Sequence, residues 1–295
     1  MQSLFSFQKE FNPYLEEVVT GLHLSSSKYP FIDELVKYGN ALLLTGGKRL
    51  RPYVLELAFR DCEGRDRELC RQAGVALELF HHFALIQDDW MDASPTRHGM
   101  RATHTWLEEK MDAPYAAAEA VLLGDLYLAC AHMLVHQVAS KLPPPAQSLF
   151  LSAFQAMVTD VLYGQMLDRQ TASRTEVTRE EILEKTQLKT SRYTFVGPIK
   201  MGAALAGQDV GIFAEAYGVP LGIIFQLQDD LADQENALPD EGHTFLTLYG
   251  EKGRAEVESS IEHYRGQVLR ALPTCPGDPQ AWEGLMELVL TRGEA

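Results

Sequence analysis

The segment Ala84-Leu85-Ile86-Gln87-Asp88-Asp89-Trp90-Met91-Asp92 joins an apolar stretch to an acidic cluster of the pattern Asp-Asp-x-x-Asp. The segment Phe225-Gln226-Leu227-Gln228-Asp229-Asp230-Leu231-Ala232-Asp233 repeats this arrangement. If each segment is helical, its first and last Asp project from the same face, one turn apart. Carboxylates this close repel one another unless a cation neutralises them, and Mg²⁺ suits one or two carboxylates plus water and phosphate oxygens. The repeat therefore predicts two magnesium-binding helices, whereas one copy alone is more often a solvated face or a helix N-terminus.

Helical periodicity extends outward from these two segments. Apolar residues recur at three- and four-residue spacing over lengths that suit helices, and alternating strand-like segments are missing. The periodic stretches cover residues 75–86, 116–138, 149–167, 180–205 and 213–231. The breaks between them are too short to be flexible linkers. The sequence predicts an all-α fold with residues 1–295 in one domain, a single large helical bundle whose two acidic helices face a central cavity.

Composition restricts the class of protein. A chain of 295 residues with 46% hydrophobic content can bury a sizeable core, and a formal charge of −15 argues against nucleic acid as the main partner. None of the four cysteines has Cys-x-x-Cys spacing, so we expect a reducing, cytoplasmic location. The most apolar stretch, residues 113–135, is interrupted by Glu119 and Asp125, so we expect a buried helix without stable membrane insertion.

Basic residues also form compact groups. The segment Gly46-Gly47-Lys48-Arg49-Leu50-Arg51-Pro52, here called the glycine–cation segment, precedes a helix expected to start near Pro52. Glycine lets backbone N–H groups approach an anion, a helix N-terminus favours negative charge, and Arg presents a planar fork to phosphate oxygens. The segment is either a phosphate-binding turn or a surface turn with solvated charges. Arg97 and His98 follow Asp92 closely, so a phosphate held by metal there would also meet a cation.

Taken in order, these motifs resemble those of the trans-isoprenyl diphosphate synthases, the polyprenyl synthetase family that includes farnesyl and geranylgeranyl diphosphate synthases. The matching motifs are the glycine–cation segment, Glu78-Leu79-Phe80-His81, the first acidic motif with Arg97, Gly164-Gln165-Met166-Leu167-Asp168, Lys189-Thr190 and the second acidic motif. Each motif alone is weak, but their order is highly specific and covers most of the chain. The resemblance implies the isoprenoid synthase fold and a homodimer. It also implies condensation of isopentenyl diphosphate with an allylic diphosphate, assisted by about three Mg²⁺ ions.

The resemblance further implies roles for individual residues. Those matching contacts to the diphosphate of isopentenyl diphosphate are Lys48, Arg51 and His81. Those matching contacts to the allylic diphosphate are Arg97, His98, Lys189, Thr190 and Gln226. The magnesium positions are Asp88, Asp92 and Asp229, with Asp233 acting either as a ligand or through water. The residues supporting the metal cluster through water or hydrogen bonds are Asp89, Gln165, Asp168 and Asp230. The catalytic set is then Asp88, Asp92, Arg97, Lys189 and Asp229.

The implied chemistry explains these residue types. Breaking the allylic carbon–oxygen bond leaves a carbocation and a diphosphate, and metal ions with Arg and Lys stabilise the charge that develops on the leaving group. The double bond of isopentenyl diphosphate then attacks the cation, a proton is lost, and an apolar lining keeps out the water that would quench the cation. Residues four and five before Asp88 are Ala84 and Phe83, one turn away. Phe83 either limits the length of the prenyl product to about fifteen or twenty carbons or is an ordinary core residue.

The chain departs from the family pattern at two places. His98 stands where the family usually has a second Arg, and segment 234–244 lacks the lysines that usually reach the allylic diphosphate. A regulatory or partner-dependent subunit of a hetero-oligomeric synthase therefore remains an alternative. A class I terpene cyclase would share the metal chemistry but needs no second diphosphate site such as the glycine–cation segment.

Overall fold

A computed structural model of the chain describes residues 3–22, 28–233, 243–250 and 253–291, except for the side chains of Asp233 and Tyr249. Within these residues the structure is almost entirely helical, with two strands of two residues each. The prediction of an all-α fold is therefore confirmed. The described residues divide into two compact units, and the boundary falls inside one helix, α3 (Leu50–Asp61). The assignment of residues 1–295 to one domain stays a prediction.

The N-terminal unit comprises residues 3–53 and 66–141 of the described chain. Its helices and strands are α1 (Leu4–Gly21), α2 (Pro30–Leu44), α4 (Arg67–Met91), β1 (Thr96–Arg97), β2 (Met100–Arg101), α5 (Thr103–Glu108) and α6 (Ala113–Ala139). The C-terminal unit comprises residues 54–65 and those from 142 onward. It contains α7 (Pro144–Ala172), α8 (Arg179–Thr186), a π-helix (Gln187–Val196), α9 (Gly197–Leu205), α10 (Gly211–Asp233), α11 (Phe245–Tyr249), α12 (Gly253–Ala271), a 3₁₀ turn (Leu272–Thr274) and α13 (Pro279–Leu290).

Helices α4 and α6 form the main packed pair of the N-terminal unit. The buried residues of α6 include Ala116, Ala120, Leu123, Tyr127 and Ala131, at the three- and four-residue spacing of one helix face. The helices approach closely at Gly124, where a Cβ would lie 3.3 Å from Gln87 Cγ and 3.6 Å from the Phe83 ring. Small residues on α6 therefore let the end of α4 that carries the first acidic motif pack tightly.

Helix α6 contains the stretch that the sequence predicted as a buried helix. By length and composition it is the one helix, among those the structure describes, that could cross a membrane. Its most apolar window is 44% buried inside the protein. A single helix of this kind is weak evidence for a membrane span, because the core helix of a soluble protein passes the same test.

A β-hairpin, which was not predicted from the sequence, follows the first acidic motif. Thr96 pairs with Arg101, and Arg97 pairs with Met100. The two residues that connect the strands, His98 and Gly99, both have positive φ angles, of 53° and 77°. Positive φ at both connecting residues is typical of a type I′ turn, whose twist matches that of a tight hairpin. The first strand of the hairpin carries Arg97, whose side chain contacts Asp89 near the end of α4.

A π-helix interrupts the helical stretch that the sequence predicted over residues 180–205. Neighbouring helices approach its backbone through glycines. A Cβ at Gly164 of α7 would lie 2.6 Å from the backbone nitrogen of Lys189, and a Cβ at Gly222 of α10 would lie 2.3 Å from Ser191 Cα. Both positions therefore require glycine while the backbones remain this close. The wide turn of the π-helix carries Lys189 and Thr190, and π-helical turns are frequent at functional sites.

Candidate active site

The first acidic motif occupies the C-terminal end of α4. Asp88 lies in its last turn and Asp92 caps it, with the Asp92 N–H donating to the Asp88 carbonyl at 2.9 Å. This bond places the two residues one helical turn apart, as the motif spacing predicts. Asp88 is half-buried and Asp92 is exposed. The pair can therefore offer two carboxylates to a cation that reaches the end of the helix.

Asp89 lies between them in sequence but has a different role. It is 3% exposed and forms a partly buried ion pair with Arg97 of the hairpin, whose Nε donates to Asp89 Oδ1 at 2.9 Å. Burial raises the pKa of the Asp89 carboxyl, although the hydrogen bond from Arg97 opposes the shift. The pKa of Arg97 is raised too: burial alone would lower it, and Asp89 outweighs that effect. Asp89 thus orients Arg97 near the carboxylates of Asp88 and Asp92, whose charges also raise the pKa of Arg97.

The glycine–cation segment uses its three cations differently. Arg49, with φ at 54°, is 5% exposed, and its Nη1 donates to Glu78 Oε2 at 2.6 Å. Its Nε donates to Asn12 Oδ1 at 3.0 Å, and its Nη2 donates to the Leu43 carbonyl at 2.9 Å. Arg49 is therefore a structural residue rather than a solvated surface charge.

Lys48 and Arg51 lie on either side of this buried arginine. Lys48 is exposed, and its carbonyl accepts a hydrogen bond of 2.9 Å from Gln8 Nε2. Arg51 is half-buried in the first turn of α3, which starts at Leu50, slightly before the predicted Pro52. The segment thus has a buried anchor flanked by the two cations to which the sequence assigned diphosphate binding.

A cavity of ≈ 30 Å³ within the N-terminal unit adjoins these residues. Its lining includes Gly47, His81, Arg97, His98 and Thr103. Burial lowers the pKa of His81 well below its usual range, with the charge of Arg51 acting in the same direction. Burial followed by the charge of Arg97 lowers the pKa of His98. Both imidazoles are consequently held in the neutral form near pH 7, where they can each donate only one hydrogen bond.

His98 also makes a steric contact that its sequence position did not indicate. A Cβ at Gly46 would lie 3.0 Å from His98 Cγ, so the ring packs directly on this glycine. Gly46 and Gly47 have φ angles of 75° and 84°, which favour glycine for a second reason. His98 therefore connects the hairpin turn to the glycine–cation segment.

In the C-terminal unit, Asp168 of α7 binds two lysines. Lys185 Nζ donates to Asp168 Oδ1 at 2.9 Å, and Lys189 Nζ donates to Asp168 Oδ2 at 2.7 Å. Burial favours the neutral acid, but the charges of Lys189 and Lys185 prevail and lower the pKa of Asp168. Gln165 lies half-buried on α7, one turn before Asp168. The sequence indicated no role for Lys185, although Lys185-Thr186 is as good a match to the family's Lys-Thr dipeptide as Lys189-Thr190.

A second set of contacts connects the π-helix to the second acidic motif. Thr190 Oγ1 donates to Gln226 Oε1 at 2.9 Å, and Gln226 Nε2 donates to Asp230 Oδ1 at 2.9 Å. Asp230 is buried, whereas Asp229 is half-buried on the same helix. Asp233 is the last residue of α10, and its side chain lies outside the described residues. Segment 234–242, most of the lysine-poor stretch, also lies outside them.

The donor atoms fit a hard, oxygen-seeking cation. Asp88 and Asp92 offer one carboxylate pair, and Asp229 offers a further carboxylate, which are ligands that Mg²⁺ accepts while keeping water and phosphate oxygens. Across the described residues, no group of three or more His, Cys, Asp or Glu side chains is arranged to hold a metal ion by itself.

Comparisons with known proteins agree with these features. The family model for polyprenyl synthetase matches residues 32–245. The chain is 35% identical over 203 residues to a geranylgeranyl diphosphate synthase of Methanosarcina mazei, covering 68% of this chain and 59% of that protein. It is 31% identical over 226 residues to a geranylgeranyl diphosphate synthase of Sulfolobus acidocaldarius, covering 75% of this chain and 65% of that protein. The chain belongs to the polyprenyl synthetase family.

The fold also matches a solved structure. A geranylgeranyl pyrophosphate synthase from Corynebacterium glutamicum, complexed with isoprenyl diphosphate and magnesium, superposes with a TM-score of 0.82 at 23% sequence identity. The match covers 97% of this chain and 98% of that chain. The two proteins therefore share the fold. The sequence matches to the two archaeal relatives span less than two thirds of the length of either relative.

Proposed function

We propose that the protein is a trans-prenyltransferase that condenses isopentenyl diphosphate with an allylic diphosphate and releases inorganic diphosphate. The observation that carries this proposal is the Asp88–Asp92 pair at the end of α4, next to an Arg97 that Asp89 orients. Lys189 and Asp229, in the order typical of the family, support it from the C-terminal unit. Membership of the polyprenyl synthetase family supports the reaction class.

In this mechanism, Arg97 and Lys189 bind the allylic diphosphate and stabilise the charge that develops as the carbon–oxygen bond breaks. Lys48, Arg51 and neutral His81 hold the diphosphate of isopentenyl diphosphate, so that its double bond meets the carbocation. The double bond is the nucleophile and the departing diphosphate accepts the proton, so neither a protein nucleophile nor a protein base is needed. About three Mg²⁺ ions, held by Asp88, Asp92 and Asp229 with Asp233 as a further candidate, would neutralise the leaving group.

The activity is tested by incubating the purified protein with isopentenyl diphosphate, Mg²⁺ and one allylic primer at a time: dimethylallyl, geranyl or farnesyl diphosphate. Dephosphorylated products are then separated by chromatography. We expect Asp88→Ala and Asp229→Ala each to lower kcat by about a hundredfold or more. The matched control is Asp112→Asn, because Asp112 is exposed and its side chain does not cap α6. Full activity in both site variants would contradict the proposed metal positions.

Product length is proposed to depend on Phe83, which is 3% exposed and stacks on Phe80 with ring centroids 5.8 Å apart. If Phe83 closes the end of the prenyl site, Phe83→Ala lengthens a product of about fifteen or twenty carbons, because each added isoprene unit needs new apolar volume. Half-buried Ala84, the neighbouring candidate, leaves that volume open. Phe80→Ala is the control, since it removes a buried neighbour of the same size. An unchanged product distribution in Phe83→Ala would assign Phe83 to the core alone.

A partner-dependent subunit is the second candidate function. The absence of lysine from segment 234–244 favours it. The same assay separates the two functions. Turnover by the purified chain alone supports the synthase, whereas inactivity that a second prenyl synthase subunit rescues supports the subunit. A class I terpene cyclase is less well supported, since it has no use for Lys48 and Arg51.

We also propose that the protein is a homodimer. Helix α6 carries an exposed apolar stripe with Tyr115, Leu122 and Met133 exposed by 69%, 60% and 41%, at spacings that keep them on one side of the helix. A second copy that covers this stripe would remove apolar surface from water. Light scattering coupled to size-exclusion chromatography tests this: Leu122→Glu should give monomer, and a monomeric wild type would refute the dimer.

A further inference from the structure

Asp168 receives more positive charge than one carboxylate can neutralise. The ammonium groups of Lys185 and Lys189 both bind it, one on each carboxylate oxygen. The side chain of Lys185 is 14% exposed, that of Lys189 is 26% exposed and that of Asp168 is 19% exposed. Because the two lysines hold the Asp168 pKa below its usual value, the carboxylate is ionised at neutral pH. The cluster therefore carries one net positive charge in a partly buried setting, where charge interacts more strongly than in bulk water.

The position of Lys185 depends on the junction between α8 and the π-helix. Lys185 lies in the last turn of α8, and Lys189 lies four residues later in the π-helix. Lys189 is followed directly by Thr190, whose hydroxyl binds Gln226, three residues before Asp229 on α10. The lysine pair thus belongs to the same set of contacts as the second acidic motif.

Lys185 also contacts His243, which follows the second acidic motif in the sequence. Its Nζ donates to the carbonyl of His243 at 2.8 Å, and His243 Nε2 lies 2.8 Å from the Arg174 carbonyl. Residues 234–244 contain no lysine or arginine, but they contain Glu235, Asp240 and Glu241. An ammonium group has three donors, of which these described bonds to Asp168 and His243 account for two. Lys185 is therefore a cation that contacts His243, the first described residue after a stretch of sequence that contains no cation of its own.

We propose that Lys185 is a second lysine that binds the allylic diphosphate, acting beside Lys189 and supplying charge that segment 234–244 lacks. This inference rests on the proposed function, since it assigns a residue to the allylic subsite of that reaction. A phosphate oxygen takes the remaining donor of Lys185 or displaces the His243 carbonyl from it. Asp168 holds the two ammonium groups close together, so that both can reach one diphosphate.

The test compares Lys185→Gln with Lys200→Gln in the full chain. Lys200 is a matched control, because it is a lysine of the same unit, 31% exposed, and it binds Glu215 at 2.6 Å. Two quantities are measured: the KM values for both substrates, and the dissociation constant of inorganic pyrophosphate with Mg²⁺ by calorimetry. We expect Lys185→Gln to raise the KM for the allylic diphosphate and the dissociation constant of pyrophosphate by about tenfold or more, since a charge-assisted hydrogen bond is lost. The KM for isopentenyl diphosphate should stay within about twofold, and Lys185→Arg should restore most of the affinity.

A purely structural Lys185 gives a different pattern. In that case Lys185→Gln lowers the melting temperature, but its dissociation constant for pyrophosphate equals that of Lys200→Gln. That result would overturn the proposal. Equal increases in both KM values would also overturn it, because they indicate a general disturbance rather than an allylic contact. The calorimetric measurement of pyrophosphate binding does not depend on catalytic activity. If the wild type binds pyrophosphate tenfold tighter than Lys185→Gln yet makes no product, the anion site stands while the proposed synthase activity fails.

Discussion

Replacing Glu78 with Gln is expected to lower the free energy of unfolding by about 3–5 kcal/mol, because it leaves the charge of Arg49 buried without an anion. The Arg49 and Glu78 side chains are only 4% and 3% exposed, and their charged atoms are 2.6 Å apart. The other described partners of Arg49 are neutral and cannot replace the lost charge: they are Asn12 Oδ1 and the carbonyls of Leu43 and Leu44. A domain has a total stability of about 5–15 kcal/mol, so the loss is a large part of it.

Urea denaturation followed by circular dichroism measures this change. The matched control is Glu34→Gln, which breaks an exposed ion pair of 2.8 Å with Lys110 and should cost less than about 1 kcal/mol. The double variant Arg49→Met, Glu78→Met removes both charges and should be more stable than the sum of the two single Met variants predicts. Equal destabilisation by Glu78→Gln and Glu34→Gln, or strict additivity in the double variant, would refute a structural role for the buried pair.

Two further predictions concern the π-helix and the buried histidine. Gly222→Ala should destabilise the C-terminal unit by about 1–3 kcal/mol, because its Cβ would lie 2.3 Å from Ser191 Cα. The control Gly266→Ala, whose Cβ would lie 3.4 Å from an Arg270 side-chain nitrogen, should stabilise α12 by up to about 1 kcal/mol in the same urea denaturation assay. Burial lowers the pKa of His82 to about 3. Between about pH 6.5 and 3 the unfolded chain therefore binds a proton at His82 that the folded chain does not. The contribution of His82 to the free energy of unfolding should be fully present above about pH 6.5 and should be lost as the pH drops towards 3. His82→Gln should flatten this dependence in urea melts between pH 4 and 7, and an equal slope in both proteins would contradict it.

Features that depend on local geometry could be predicted from the sequence. The spacing of the first acidic motif is an example, because helical geometry alone puts the N–H of Asp92 on the carbonyl of Asp88. Helical periodicity likewise predicted the long helices, since apolar residues every three or four positions indicate a buried face. The family resemblance was confirmed by the polyprenyl synthetase match. Residue roles at the site stay predictions.

Features that depend on distant partners could not be predicted. Nothing near Arg49 in sequence shows that it is buried, because its anion, Glu78, lies 29 residues away. The π-helix depends on the close approach of Gly164 and Gly222, which belong to two other helices. The hairpin after the first acidic motif has strands of only two residues, too short to show an alternating pattern. In each case the missing information was tertiary contact.

Both acidic motifs stand at the C-terminal ends of their helices, with Asp92 capping α4 and Asp233 ending α10. Backbone dipoles make that end of a helix electronegative, so the carboxylates of Asp88 and Asp92 are disfavoured by the dipole of α4 as well as by one another. The end of α4 is thus locally frustrated, which is a feature that functional sites often have. Occupancy by a divalent cation would relieve the repulsion and slow amide exchange in the last turns of α4 and α10. Ligand binding and helix-end order would then be thermodynamically linked.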